Sequence, residues 1–133
     1  TEPTYGHKGA KALHVEFNDN VGSTLIAYQT LMLDSGSYEF RGKARADSLS
    51  VGKGLLWSIK CLDLSASSPL SKSSYVTGTD IWQGFSVGFE VPEQKCLVQQ
   101  LRLEVEGGAN DDFSSYNGSA WFDELEIAKI LDN

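Results

Sequence analysis

The segment YEFRGKARAD (Tyr38–Asp47) decides the fold class of this chain, because two kinds of side chain alternate along it with a period of two residues. One set is apolar or small, and the other set is charged. Successive side chains of a β-strand point to opposite faces, so the pattern predicts a strand with one face towards a core and the other towards water. The inward set is Tyr38, Phe40, Gly42, Ala44 and Ala46, and the outward set is Glu39, Arg41, Lys43, Arg45 and Asp47.

The same alternation returns in short segments along the whole chain. Clusters of glycine, serine, aspartate and asparagine, which are typical of turns, separate these segments. None of them shows the 3.6-residue period of an amphipathic helix, so the sequence predicts an all-β protein. The predicted strands are 12–17, 24–33, 38–47, 55–62, 81–91, 97–106 and 119–127.

The size of the chain favours one domain. Its 133 residues are 41% hydrophobic, which is enough for one core, and we predict a single domain over residues 1–133. Many short strands around one core are typical of a two-sheet antiparallel β-sandwich. The serine-rich connection 63–80 is too polar to pack by itself and is expected to cross the surface. Long connections favour a jelly roll over a simple meander.

The charge and hydropathy of the chain exclude several partners. A formal charge of −7 argues against nucleic acid, because phosphate binding requires clustered lysine and arginine. No apolar run approaches the roughly 20 residues that span a bilayer, so no membrane insertion is expected. No signal peptide is apparent, which is expected of an intracellular chain or of a mature fragment.

Two cysteines, Cys61 and Cys96, permit a single disulfide. The interpretation that we favour from the sequence is that both are half-buried small hydrophobic residues, since free cysteine is commonly buried. No second cysteine or histidine lies at a spacing typical of zinc sites, so zinc is not expected.

Five fragments of the chain carry a resemblance to a known family. In chain order they are Gly9–Phe17, Tyr28–Leu33 followed by Tyr38–Phe40, Arg45–Asp47, Gly78–Trp82 leading to Phe89–Pro92, and Gly118–Leu125. Together they resemble the jelly-roll carbohydrate-binding modules found beside bacterial polysaccharide-degrading enzymes. The resemblance implies two packed antiparallel sheets, a non-catalytic role in binding polysaccharide, a secreted, periplasmic or cell-surface location, and a structural calcium ion. A cytoplasmic location stays open.

Asp123 matches the aspartate that the family links to its metal. By alternation it shares a strand face with Trp121, Leu125 and Ile127, and is therefore expected on the core side. A carboxylate in that position needs a cation or several donors to offset desolvation. The alternative to calcium is that Asp123 accepts hydrogen bonds from backbone N–H groups or from a lysine or arginine. Related modules also open with a Phe-Glu pair, which the first residues, Thr1–Tyr5, lack.

A glycan site requires aromatic platforms beside planar hydrogen-bonding groups, because sugar rings stack their C–H faces on aromatic rings. Phe122 is the strongest candidate, since alternation places this large ring outward beside Glu124. The alternative is that a neighbouring loop buries it. The full set of carbohydrate-binding candidates is Tyr28, Arg41, Arg45, Arg102, Phe122 and Glu124.

The remaining aromatic side chains receive other predictions. Trp57 shares parity with Leu55 and Ile59 and is assigned to the core, while Trp82 is assigned to the core or its rim. Tyr75 and Tyr116 lie in long polar loops and are further binding candidates, since loops on rigid sandwiches often carry binding.

Two other functions compete with sugar binding. One is a structural or protein-interaction β-sandwich that has lost its sugar site. The other is a small glycoside-active enzyme, which would require two apposed carboxylates in a cleft. The two histidines, His7 and His14, belong to no recognisable nucleophile–base arrangement, so no catalysis is expected. An open sheet edge would favour a dimer or a neighbouring domain as an additional partner.

Overall fold

The computed structural model describes residues 13–18, 25–51, 53–62, 69–76, 81–106 and 117–130, and these residues form strands and connections. No helix among them is long and apolar enough to cross a membrane. The eight strands are β1 (Leu13–Asn18), β2 (Leu25–Leu31), β3 (Gly36–Ser50), β4 (Gly54–Cys61), β5 (Ser71–Lys72), β6 (Gln83–Val91), β7 (Gln99–Glu106) and β8 (Asn117–Lys129).

The strands form two four-stranded antiparallel sheets. Sheet I has the order β1-β8-β3-β6, and sheet II has the order β2-β7-β4-β5. The first strand thus pairs with the last, the second with the seventh, the third with the sixth and the fourth with the fifth. This nesting of antiparallel pairs, divided between two sheets, is a jelly roll. The predicted all-β jelly-roll sandwich is confirmed, whereas the single-domain boundary 1–133 stays a prediction.

One hydrophobic core lies between the two sheets. The odd-numbered residues of β1, β4 and β7, and those of β6 from Phe85 onwards, enter it, as the alternation predicts. Trp57 on β4 is 1% exposed and packs edge-to-face against Phe40 and Phe122, with ring centroids 5.0 and 5.2 Å apart. The assignment of Trp57 to the core is therefore confirmed.

The two cysteines form a disulfide, which corrects the favoured prediction of two unpaired residues. The register of β4 against β7 places Cys61 opposite Gln99, three residues beyond Cys96. The buried Gln99 side chain donates to the Cys96 carbonyl at 2.7 Å and holds this turn against β4. The pairing of β4 with β7 joins distant parts of the chain, so the approach of the two cysteines cannot be inferred from local sequence.

The serine-rich connection packs more closely than predicted. Ser71 and Lys72 pair with β4 as strand β5. Beyond them, the Ser73 N–H donates to the Trp57 carbonyl and the Val76 N–H to the Leu55 carbonyl, both at 2.8 Å. Residues 69–76 therefore follow the edge of sheet II, whereas residues 63–68 and 77–80 lie outside the described part of the chain.

A β-bulge in β8 determines which side chains reach the outer face of sheet I. Lys43 pairs with Asp123 and Arg41 with Glu126, so Gly42 alone faces two residues of β8. Glu124 lies at the bulge and adopts a left-handed backbone conformation, with a φ of 53°. A side chain at position 42 does not fit there, because its Cβ would lie 2.7 Å from Leu125 Cδ2.

The bulge reverses the inward parity of β8 in the middle of the strand. Before it, Ala120 and Phe122 face the core and are fully buried; after it, Leu125 faces the core. Phe122 is therefore not the exposed platform that alternation predicts, and Asp123 does not lie on the core side. Both predictions assume an unbroken period of two, and the extra residue breaks that period.

Candidate functional site

Four side chains form a row across the outer face of sheet I, which we call the aromatic row. Strand register places His14 of β1 and Arg45 of β3 on either side of Trp121 of β8. The His14 ring stacks on the Trp121 ring with centroids 4.7 Å apart and planes 2° apart. The Arg45 guanidinium carbon lies 4.2 Å from the Trp121 ring centroid and 5.7 Å from that of Trp82, which precedes β6.

The two faces of the Trp121 ring are covered within this row. Strands β1 and β3 flank β8 on opposite sides, so the imidazole of His14 and the guanidinium of Arg45 cover the indole from opposite directions. Trp121 consequently presents an edge to solvent. Trp82 is 41% exposed and offers the more accessible indole of the row, since Trp121 is half-buried. Stacking also orients the planar guanidinium of Arg45, whose N–H groups form a rigid fork.

A polar groove of about 520 Å³ lies beside the aromatic row, above the β8 bulge. Arg41 forms ion pairs with Glu39, at 3.2 Å, and with Glu126. Lys43 Nζ lies 2.8 Å from a carboxylate oxygen of Glu124. The side chains that line it belong to β3, β6 and β8: Glu39, Arg41, Gly42, Lys43, Gly84, Phe85, Ser86, Glu124 and Glu126.

Hydrogen bonds to carboxylates favour the charged forms of both groove cations. The bonds to Glu126 and Glu39 raise the pKa of Arg41, and the bond to Glu124 raises the pKa of Lys43. These exposed pairs contribute little to folding stability. The ion pairs instead hold hydrogen-bond donors and acceptors side by side. This arrangement suits the hydroxyl groups of a neutral ligand better than a ligand that carries only positive or only negative charge.

The predicted site residues do not come together. Arg41, Arg45 and Glu124 lie on the outer face of sheet I. Tyr28 and Arg102 pair with each other on the outer face of sheet II, on the opposite side of the molecule. A sixth candidate, Phe122, is 0% exposed in the core.

The candidates on sheet II have their own partners. Arg102 Nε donates to Glu104 at 3.1 Å, and its Nη1 donates to Gln100 at 2.6 Å. Tyr28 is 56% exposed opposite Arg102. This face therefore offers an exposed ring beside a guanidinium that already binds two side chains of its own strand.

Sequence reasoning missed Trp121 and His14 as components of the site. His14 alternates with the buried residues Leu13 and Val15 and therefore lies on the outward face of β1, but it was considered only as a catalytic residue. Trp121 was assigned to the core side because an unbroken alternation places it on the same strand face as Leu125. The available signal was Gly42, since an isolated glycine in a strand often marks a bulge or a close approach of backbone.

Asp123 caps the bulge. Its Oδ1 accepts the N–H of Glu124 at 2.8 Å, which is the backbone hydrogen bond that the sequence left as the alternative to calcium. In the described part of the chain, no group of three or more histidine, cysteine, aspartate and glutamate side chains is arranged to hold a metal ion. The side chains described around Asp123 therefore do not form a calcium-binding set, and calcium binding stays a prediction from the resemblance.

Tyr75, one of the loop candidates, is joined to Glu106; the other, Tyr116, lies outside the described residues. The hydroxyl group of Tyr75 donates to a Glu106 carboxylate oxygen. This bond, followed by one from Lys72, lowers the pKa of Glu106, and the same bond raises the pKa of Tyr75. A lowered pKa means that the ionised carboxylate favours folding above its ordinary pKa of 4.5, and that this contribution is lost as pH falls through the lowered value.

We expect Tyr75→Phe to raise the pKa of Glu106 towards 4.5, because the variant removes the largest cause of the shift. NMR titration of the Glu106 carboxyl carbon measures the change, which is expected to be small and salt-dependent at this exposed site. Tyr28→Phe on the other end of the sheet serves as the control. Identical Glu106 titration curves in the wild type and Tyr75→Phe would contradict the prediction.

Comparisons with known proteins identify structural neighbours alone. No protein-family model and no curated protein sequence matches this chain. A solved family 4 carbohydrate-binding module (CBM4) superposes with a TM-score of 0.58 at 20% identity, over 77% of this chain and 59% of its own. The EclA C-terminal domain, a sugar-binding protein, gives 0.54 at 15% identity, over 94% and 83%.

A third neighbour contains a ligand. It is the CBM22-1–GH10 portion of Clostridium thermocellum endo-1,4-β-D-xylanase 10B in complex with xylohexaose, with a TM-score of 0.54 and 11% identity. This match covers 92% of the present chain but 25% of the xylanase chain. The present chain thus spans a quarter of the length of the xylanase and, in the first comparison, 59% of the length of the CBM4 chain. The structural neighbours are thus carbohydrate-binding modules, and this chain shares their two-sheet antiparallel fold. At these identities the likeness shows the fold alone.

Proposed function

We propose that this chain is a non-catalytic module that binds a glycan on the outer face of sheet I. The observation that carries the proposal is the position of the aromatic row directly beside the polar groove on one sheet face. A sugar ring would stack its C–H face on Trp82, and its hydroxyl groups would bond Arg45 and the side chains of the groove. The fold shared with carbohydrate-binding modules supports this ligand class.

The groove favours binding over hydrolysis. A glycosidase needs one carboxyl group that holds a proton and a second that is ionised. The groove carboxylates Glu39, Glu124 and Glu126 are each ion-paired with Arg41 or Lys43 and are open to solvent. Nothing in this arrangement distinguishes an acid from a base, so we propose a role without chemistry.

The disulfide supports a location outside the reducing cytosol. Disulfides persist in secreted, periplasmic and cell-surface proteins and are rare in cytosolic ones. The buried Cys61–Cys96 bond therefore supports the proposed secreted, periplasmic or cell-surface location.

A protein-interaction role is the second candidate. Ile81 is 65% exposed directly before the exposed Trp82, and adjacent apolar side chains of this kind favour contact with another protein. Sugar binding remains the first proposal because the adjoining groove is polar, which suits hydroxyl groups.

The proposal predicts that Trp82→Ala weakens glycan binding about tenfold, since the variant removes the exposed stacking surface. A glycan array identifies the ligand, and titration calorimetry with the best oligosaccharide, in calcium or in EDTA, measures its affinity. Tyr28→Ala on sheet II is the matched control, because it removes another exposed aromatic ring and is expected to leave the affinity unchanged.

The opposite result for these two variants would assign the glycan site to the other sheet. Loss of binding in Tyr28→Ala with unchanged binding in Trp82→Ala would place the glycan on sheet II. No binding to any glycan, with calcium or with EDTA, would contradict a carbohydrate function and favour the protein-interaction role.

A further inference from the structure

A second cavity, which we call the edge cleft, opens at the edge of the sandwich where the two sheets separate. One wall is the segment 73–76, which follows β4 at the edge of sheet II, and the other is 83–86 of the edge strand β6 in sheet I. Trp57 and Ala44 complete the lining, and the cavity volume is about 430 Å³. That volume lies within the range of small-molecule sites.

The lining of the edge cleft is polar but uncharged. Its walls combine hydroxyl and amide groups, including those of Ser74, Gln83 and Ser86, with the rings of Tyr75 and Phe85. No lysine, arginine, aspartate or glutamate is among the lining residues. The polar groove, in contrast, is lined mainly by ion pairs. Aromatic rings with neutral hydrogen-bonding groups suit a neutral polyhydroxylated ring better than an ion.

The tryptophan of the cleft lining is almost fully buried. Trp57 is 1% exposed, and its indole Nε1 is buried without a hydrogen-bond partner. The nearby Ser73 hydroxyl is already used, since it accepts the Trp57 backbone N–H at 2.9 Å and donates to the Ser74 carbonyl at 2.8 Å. Because this nitrogen has almost no contact with solvent, a ligand oxygen in the cleft does not reach it, and the Trp57 indole serves as a reporter of the cleft.

The edge cleft also adjoins the polar groove. Gly84, Phe85 and Ser86 of β6 line both cavities, so the two lie on opposite sides of one edge strand. A ligand lying in the groove needs to pass over only this strand to reach the cleft. Gly84 keeps the passage open, because the nearest atom to a Cβ built there is the Gly42 carbonyl oxygen at 4.0 Å.

We infer that the edge cleft binds the terminal sugar residue of a neutral glycan, with Gln83 donating to a ligand hydroxyl group and Phe85 in contact with the sugar ring. The inference rests on the proposed function for its ligand class, but it assigns a separate place and separate residues. A monosaccharide corresponds to the terminal residue alone, so it is expected to enter the cleft without covering the sheet face.

The three tryptophans provide the test, because each indole N–H gives its own cross-peak in a ¹H–¹⁵N spectrum of the full chain. The probes are glucose, galactose and xylose and their β-1,4-linked hexasaccharides. The monosaccharides are expected to shift the Trp57 peak, and the hexasaccharides are expected to shift the Trp57 and Trp82 peaks. Conservative Trp→Phe variants assign the peaks.

Two pairs of variants make the test specific. Gln83→Ala is expected to weaken monosaccharide binding about fivefold, as for loss of one hydrogen bond, while Gln29→Ala on sheet II leaves it unchanged. Gly84→Leu is expected to abolish the Trp57 shift caused by the hexasaccharides, because it fills the passage between the groove and the cleft. Gly88→Leu is its control, because Gly88 lies on the same face of β6 with nothing within 4 Å of a Cβ built there.

The outcomes separate this inference from the proposed function. Hexasaccharide shifts confined to Trp82 and Trp121, with unchanged affinity in Gln83→Ala, would overturn the edge cleft and leave sugar binding on the sheet face intact. Absence of binding by every probe and every glycan on the array would overturn both.

Discussion

Replacing Phe122 with alanine is expected to lower the free energy of unfolding by about 3–5 kcal/mol, the usual cost of deleting a fully buried phenylalanine. Phe122 is 0% exposed and lies where the two sheets meet. Its ring packs edge-to-face on Trp57, 5.2 Å away, and on Phe85, 6.4 Å away. Alanine would leave a cavity bounded by strands of both sheets, which cannot collapse without moving a whole strand.

Urea unfolding followed by tryptophan fluorescence measures this loss, since the buried Trp57 reports directly on the cavity. Tyr28→Ala removes an aromatic ring that is 56% exposed and is expected to change the stability by less than about 0.5 kcal/mol. A loss of less than about 1 kcal/mol in Phe122→Ala would show that Phe122 is outside the core. Weak sugar binding in this variant would report a loss of folding and would not place the site on Phe122.

Removing the disulfide is expected to cost about 3–4 kcal/mol, because the Cys61–Cys96 bond closes a loop and restricts the unfolded chain. The two cysteines are 35 residues apart in sequence, and this separation sets the size of the loop. The bond also joins the end of β4 to the turn before β7, two neighbouring strands of sheet II.

The double variant Cys61→Ala/Cys96→Ala tests the disulfide, with urea unfolding in oxidising and in reducing buffer. The wild type is expected to lose stability on reduction, and the double variant is expected to be insensitive to the buffer. The reduced wild type thereby serves as a control for the lost sulfur atoms. Wild-type protein that reacts fully with a thiol reagent under native, oxidising conditions would show that the bond does not form.

Most of the fold was predictable because its strands follow local rules. The alternation in β3 assigned its inward and outward faces correctly, and β1, β6 and β7 alternate in the same way, since each of these strands has one face on the core. Strand β5 was missed because two residues, Ser71 and Lys72, carry no periodicity and pair with β4 through contacts distant in sequence. The disulfide was missed for the same reason.

The candidate site was predictable only in part. Arg41, Arg45 and Glu124 were placed on an exposed sheet face, where the structure has them. Tyr28 and Arg102 lie on the other sheet, because alternation decides which face of a strand is exposed but not which sheet contains the strand. Phe122 was predicted on the outer face and Asp123 on the core side, and the structure has them the other way round, because β8 contains one extra residue.

The sequence by itself determined the fold class, since the alternation of side chains along each strand is a local property of the backbone and requires no knowledge of its partner. Tertiary structure alone decided the site. Only strand order brings His14, Trp121, Arg45 and Trp82 from four separate segments into one row, and only the bulge opposite Gly42 turns Trp121 outward and Phe122 inward. The physical reason is that register and bulges are set by pairing between distant strands, whose energies no single segment contains.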